Sequence, residues 1–192
     1  MNLHYETVSP LLKETLQKLV NSPIFKDFTL IGGTCLSLQL GHRRSIDIDL
    51  FTDIDYGTMN TKEMKEFIQR SFPYSENTDS LDTSALGYTL YMGDSPIDKI
   101  KVDFFYTEKF IFPIQEIDHI RIADIREIAA MKLSAITEEE PRQKDFWDIH
   151  ELNEKYSFKD MIDWGIKKER MECYRGRYIK WVSKNRFCKR IT

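Results

Sequence analysis

The 192-residue chain is poor in the residues that staple or anchor a protein. Its three cysteines, Cys35, Cys173 and Cys188, are an odd number at spacings that suit neither a disulfide framework nor a zinc knuckle, so reduced structural thiols are expected. Its four histidines (His4, His42, His119, His150) are scattered, which leaves no histidine-built metal site to expect. No run of about 18 apolar residues occurs, so no membrane-spanning helix is expected. The opening MNLHYETVSP lacks the basic and apolar regions of a signal peptide. A cytoplasmic protein without membrane contact is the resulting expectation. Neither an internal repeat nor a low-complexity segment is found.

What is present is the composition of a globular domain, 41% hydrophobic and 31% charged, in a chain long enough to bury a core. The net charge of −3 conceals an asymmetry. From Trp164 onward ten Lys/Arg stand against Glu169 and Glu172, a balance of +8, so the first 163 residues carry −11. An acidic body with a basic end implies contact with a polyanion or else a solvated helix face. Tyr174, Tyr178, Trp181 and Phe187 are interleaved with those cations. Rings among cations suit a single-stranded nucleic acid; the helical spacing of the first three also suits an apolar face docked on the body.

Local signals order the elements. Ser9-Pro10 starts a helix whose Leu11, Leu12, Leu16, Leu19 and Val20 recur at helical spacing until Asn21-Ser22-Pro23. A short strand over Phe28–Ile31, a turn at Gly32-Gly33-Thr34 and a short helix over Cys35–Leu40 ended by Gly41 follow. Asn60-Thr61-Lys62-Glu63 caps a helix to about Phe72, and Thr83–Met92 and Ile97–Tyr106 read as antiparallel strands joined through Gly93-Asp94-Ser95-Pro96. A short strand near Ile120–Ala123 precedes helices starting at Asp124, Pro141 and Ser157. The order predicts an α+β fold: a mixed β-sheet core flanked by helices over residues 1–123, and a helical C-terminal subdomain with the basic tail over 124–192.

One strand is unusual. In Ile46-Asp47-Ile48-Asp49-Leu50-Phe51 the alternation of side chains puts Asp47 and Asp49 on one face, about 7 Å apart, opposite Ile46, Ile48 and Leu50. Two carboxylates so placed repel, so a positive group should sit between them or they should face water. On the later strand Lys101, Asp103 and Phe105 share one face, opposite Val102 and Phe104. Were the two strands neighbours, Asp47, Asp49 and Asp103 would converge as hard oxygen ligands suited to Mg²⁺ and substrate phosphate oxygens. Two such ions about 3.5–4 Å apart serve in-line phosphoryl displacement. A Gly33-Thr34 turn at a helix start, thirteen to fifteen residues ahead of the aspartates, lets backbone N–H groups approach phosphate, and the Thr34 hydroxyl can add a hydrogen bond.

GGTCLSLQLGHRRSIDIDLF, with these features, resembles the first motif of the AbiEii/AbiGii-type nucleotidyltransferases. These are toxins of type IV toxin–antitoxin and abortive-infection systems within the DNA polymerase β-like superfamily. IKVDFF resembles their second motif, IREIAAMKLSAI their third and RQKDFWDIHEL their fourth, in order from about residue 5 to residue 156. The resemblance implies a nucleotidyltransferase that moves NMP from an NTP to an acceptor hydroxyl, releasing pyrophosphate. The acceptor would be an RNA or tRNA 3′ end or a protein. It implies metal ligation by Asp47, Asp49 and Asp103, a nucleotide site at Gly33, Thr34, Ser45 and Lys132, a place at the active site for Asp145, as the base toward the acceptor, and a cognate antitoxin.

The residues themselves leave alternatives at these positions. Lys132 lies among Ile128, Ala129, Leu133 and Ile136, where a lysine either snorkels or aims its ammonium at an anion. Asp145 and Asp148 share a helix face, where a salt bridge to Arg142 or Lys144 is the plain reading; for Asp148 that or fold support is expected. Arg44 either pairs with a carboxylate or touches phosphate. The segment GIKKERMECYRGRYIKWVSKNRFCKRIT has no counterpart in the resemblance. Two other readings compete: a catalytically silent nucleotidyltransferase scaffold that binds nucleic acid or a partner, and a haloacid-dehalogenase-type phosphatase, which also carries Asp-x-Asp. The intact set of three aspartates argues against the first. The Gly-Gly-Thr turn ahead of the pair argues against the second.

Overall fold

A computed structural model describes residues 2–77, 86–137 and 142–169. The chain divides into two compact units, Met1–Asp124 and Ile125–Thr192. Pro141 and the basic, aromatic stretch beyond residue 169, with Cys173 and Cys188, lie outside the described residues.

In the first unit, helix α1 (Pro10–Val20) starts where Ser9 Oγ accepts the Leu12 N–H. Its Leu12, Leu16 and Leu19 are buried, the i, i+4, i+7 stripe of a core-facing helix. Strand β1 (Thr29–Ile31) runs directly into α2 (Gly32–Leu40). The expected turn at Gly32-Gly33-Thr34 is thus the first helical turn itself, entered through the left-handed φ of +69° at Gly32. Gly41 closes α2 at φ +70°, as anticipated. Then come β2 (Asp47–Thr52) and α3 (Thr61–Ser71), the latter capped by the Asn60 side chain on the Glu63 N–H.

The sequence does not predict strand β3 (Tyr74–Asn77); β4 (Gly87–Ser95) runs further into the hairpin than the expected end at Met92, while β5 (Asp98–Tyr106) begins one residue after the expected Ile97, with a register irregularity between Gly93 and Ser95. Strand β6 (Gln115–Ile117), also unforeseen, pairs with β7 (Ile120–Ile122). The strands form one mixed sheet in the order β3-β4-β5-β2-β1-β7-β6. Within it β2 is parallel to β5 and antiparallel to β1, and β1 is parallel to β7.

Burial alternates along β2 and β5. Ile48, Leu50, Val102 and Phe104 are fully buried on the face that packs against α1 and an aromatic cluster. In that cluster the Phe25 and Phe28 rings lie 5.4 and 5.5 Å from Phe104. The half-buried residues of the alternation are Asp47, Asp49, Phe51, Lys99, Lys101, Asp103 and Phe105. Ile46 lies before the strand and is 72% exposed, so it is not part of the buried face that the pattern had suggested.

The second unit is helical: α4 (Ile125–Ile136), α5 (Gln143–Asn153) and α6 (Phe158–Glu169), with Ser157 Oγ accepting the Asp160 N–H at the start of α6. Helix α4 packs on both others. Each interface carries a buried ion pair, Lys132 with Asp145 and Asp148 toward α5 and Glu127 with Lys168 toward α6.

Candidate active site

Strand register assembles the acidic cluster. On the parallel strands β2 and β5 Asp49 lies directly opposite Asp103, and Asp47 opposite Lys101. Neighbouring strands are about 4.8 Å apart and same-face residues about 7 Å apart along a strand, so three carboxylates and one ammonium occupy a single small patch. Lys101 Nζ is 2.6 Å from Asp103 Oδ2, and the Thr89 hydroxyl, from the next strand β4, donates to Asp103 Oδ1 at 2.6 Å. Burial alone would lower the Lys101 pKa. The hydrogen bond to Asp103 and the charges of Asp103, Asp47 and Asp49 outweigh it and hold the ammonium above the ordinary lysine value. Lys101 is therefore one positive group of the kind that the Asp47/Asp49 spacing demands. Its place two residues before Asp103 on the same strand face was the signal for it.

The start of α2 abuts the same patch. A Cβ at Gly32 would stand 2.1 Å from Asp49 Oδ2, and one at Gly33 would stand 2.6 Å from Arg43 Nη2. The two glycines thus leave room for a carboxylate and a guanidinium at the first turn of a helix, where backbone N–H groups favour negative charge. Arg43, half-buried, takes this place; Arg44 is exposed. Thr34 and Ser45 are buried, with their hydroxyl oxygens 2.8 Å apart, and Thr34 also donates to the Asp47 carbonyl. Their hydroxyls tie α2 to the start of β2 and so fix the strand that carries Asp47 and Asp49.

Asp47, Asp49 and Asp103 supply the all-oxygen donor set that Mg²⁺ prefers, beside a glycine wall with no Cβ to obstruct them. They fit such an ion in donor type. Even so, among the described residues no three His, Cys, Asp or Glu side chains are drawn together into a formed metal-binding group. Asp103 has its two oxygens on Thr89 and Lys101 instead.

Lys132, Asp145 and Asp148 form a cluster of their own within the helical unit. Lys132 Nζ is 2.5 Å from Asp145 Oδ1 and 2.8 Å from Asp148 Oδ2, and the three side chains are 6%, 1% and 0% exposed. Arg142 Nε closes on Asp145 Oδ2 at 2.9 Å. Lys132 does aim at anions, and those present are two aspartates of the next helix. Burial would raise the Asp145 pKa; the bonds from Lys132 and Arg142 outweigh it and hold the carboxyl below its usual range.

Comparison with known proteins agrees with this architecture. Residues 14–181 match the family model described as nucleotidyl transferase AbiEii toxin, type IV TA system. The uncharacterized protein aq_aa25 of Aquifex aeolicus (strain VF5) is 34% identical over 155 residues, which span 76% of this chain and 67% of that protein. Among solved structures, a Helicobacter pylori protein provisionally described as a nucleotidyltransferase superposes with a TM-score of 0.55 at 17% identity, covering 94% of this chain and 78% of its own. The Megavirus polyadenylate synthase superposes with a TM-score of 0.52 at 15% identity, covering 75% of this chain and 31% of its own. At such identities the two structures support the nucleotidyltransferase fold.

Proposed function

The chain belongs to the AbiEii nucleotidyltransferase toxin family of type IV toxin–antitoxin systems, and from that premise we propose that it transfers a nucleoside monophosphate from an NTP to an acceptor hydroxyl with Mg²⁺ as cofactor. The observation that carries this is the direct parallel register of Asp49 and Asp103, with Asp47 one pleat away and the glycine-lined start of α2 alongside. Asp47, Asp49 and Asp103 would hold the divalent cation, most simply two ions. When bound, these would neutralise charge on the transferring phosphoryl group and on the pyrophosphate that leaves.

The chain's own groups have distinct tasks. Backbone N–H groups of the first α2 turn, at Gly33 and Thr34, would face phosphate oxygens, with the Arg43 guanidinium above Gly33 adding charge. Ser45, bonded to Thr34, would keep that turn in register with Asp47. Lys132 is proposed as a phosphate partner and Asp145 as the group that takes the acceptor's proton. For these two the ion-pair cluster favours a second reading. An ammonium saturated by two buried carboxylates, and a carboxylate held in its charged form by two cations, are well suited to fastening α5 to α4. Asp148 is assigned to that fastening.

RNA, tRNA in particular, is the proposed acceptor, bound through the basic C-terminal residues. A protein hydroxyl is the other acceptor class, and a cognate antitoxin the proposed partner. Among the described residues no helix is long and apolar enough to cross a membrane. The test is incubation of the full chain with each α-labelled NTP, Mg²⁺ and total tRNA, with resolution of labelled RNA from labelled protein. Label in tRNA that is lost with Asp49→Asn supports the proposal. Label in protein moves the acceptor, and no label from any NTP refutes transfer.

A further inference from the structure

The acidic patch already contains a cation of its own. Lys101 stands opposite Asp47 across the β2/β5 pair, its ammonium bonds Asp103 at 2.6 Å, and Asp103 in turn faces Asp49. The lysine side chain is 36% exposed and Asp103 14% exposed. A surface lysine–aspartate pair is ordinarily of little consequence, but this one lies beside two further carboxylates. Its bond also occupies one of the two oxygens that Asp103 could offer a metal. The other Asp103 oxygen is taken by Thr89. Without Lys101 the patch would gather three negative charges on two adjacent strands.

We propose that Lys101 is the resident counter-cation of the site. Its ammonium holds the place of a divalent cation in the metal-free protein, and metal loading is an exchange in which Nζ leaves Asp103 Oδ2 as the ion arrives. Lys101 is a positioning residue and not a catalytic one: it keeps the clustered carboxylates from repelling β2 and β5 apart, and it opposes metal entry until the metal's own binding outweighs the ion pair. The inference rests on the metal reading of Asp47, Asp49 and Asp103.

The test uses Mn²⁺ as probe, with free ion counted by electron paramagnetic resonance during titration of the full-length wild type and of Lys101→Met, Lys99→Met and Asp49→Asn. Methionine keeps the length of the stem and removes the charge. Lys99 is the control for general charge, because it lies on the same strand face yet bonds Glu76 at 2.7 Å. Exchange predicts that Lys101→Met binds Mn²⁺ at least tenfold more tightly than wild type, that Lys99→Met shifts affinity less than threefold, and that Asp49→Asn loses the site. It also predicts a lower metal-free melting temperature for Lys101→Met and a larger rise on adding Mn²⁺. If Lys101→Met does not fold without metal, Lys101→Gln replaces it in the same titration. Equal or weaker affinity in the Lys101 variant, or an equal gain in Lys99→Met, overturns the exchange while leaving the metal site standing. A wild type that binds no Mn²⁺ overturns both.

Discussion

Replacing Gly32 by alanine probes the junction of the α2 turn and the acidic strand at one atom. Two costs follow from the geometry. The φ of +69° is left-handed, which costs a non-glycine residue about 1–2 kcal/mol. The new Cβ would stand 2.1 Å from Asp49 Oδ2, 2.8 Å from its Cγ and 3.2 Å from its Cβ. Turning the carboxylate tip alone cannot clear contacts that reach down to Cβ. Asp49 must change rotamer or β2 must shift, at about 1–3 kcal/mol. The sum is about 2–5 kcal/mol, or roughly 4–20 °C in melting temperature for a chain of this size.

Calorimetry of Gly32→Ala, Asp49→Ala and the double variant separates the two costs. In the double variant the clash is relieved and the φ strain remains, so a coupling of about 1–3 kcal/mol is expected. Gly32→Ala should also weaken Mn²⁺ binding, since it displaces Asp49, a proposed ligand. Wild-type stability in Gly32→Ala would refute the left-handed turn. Additivity to within about 0.5 kcal/mol would refute the approach of Asp49 to it.

Asp47→Ala and Asp49→Ala should abolish transfer while leaving the metal-free melting temperature within a few degrees of wild type, because each removes one of several clustered like charges; unfolding tens of degrees early would make the pair structural. Lys132→Met removes the buried cation that Asp145 and Asp148 share, so a loss of about 3–5 kcal/mol is expected. Titration with a non-hydrolysable NTP then decides between the two readings of Lys132: weakened affinity in the folded fraction supports phosphate contact, and unchanged affinity leaves the fastening role. The depressed pKa of Asp145 gives stability that is fully present above the unfolded carboxylate value of about 4 and lost as pH falls through the lower folded value. Asp145→Asn should therefore flatten the acid limb of a stability–pH curve, and superimposable limbs would refute the linkage. Reversing Lys180, Lys184 and Arg186 to Glu should flatten the salt dependence of tRNA binding with Mn²⁺ affinity unchanged; RNA affinity indifferent to salt and to the reversals would favour a protein acceptor.

The amino-acid sequence by itself determined the elements whose signals are local. Ser9 and Asn60 cap their helices because a side-chain oxygen near a free N–H needs nothing distant. The period-2 alternation of β2 and β5 set which residues share a face, and it put Asp47 with Asp49 and Lys101 with Asp103. Short edge strands such as Tyr74–Asn77 and Gln115–Ile117 carried too little pattern to be read, being held by pairing with β4 and β7 rather than by their own composition. Only the tertiary structure decided that β2 lies parallel beside β5 with Asp49 opposite Asp103 and Lys101 opposite Asp47. Alternation says which way a side chain points but not which strand lies next to it or in what register. Those are fixed by packing of Ile48, Leu50, Val102 and Phe104 on the far face. The same holds for Arg43 over Gly33 and for Lys132 enclosed by Asp145 and Asp148. Partners ten to sixteen positions apart along the chain meet only once α4 and α5, or α2 and the loop before β2, have packed, and a charge's role depends on what then surrounds it.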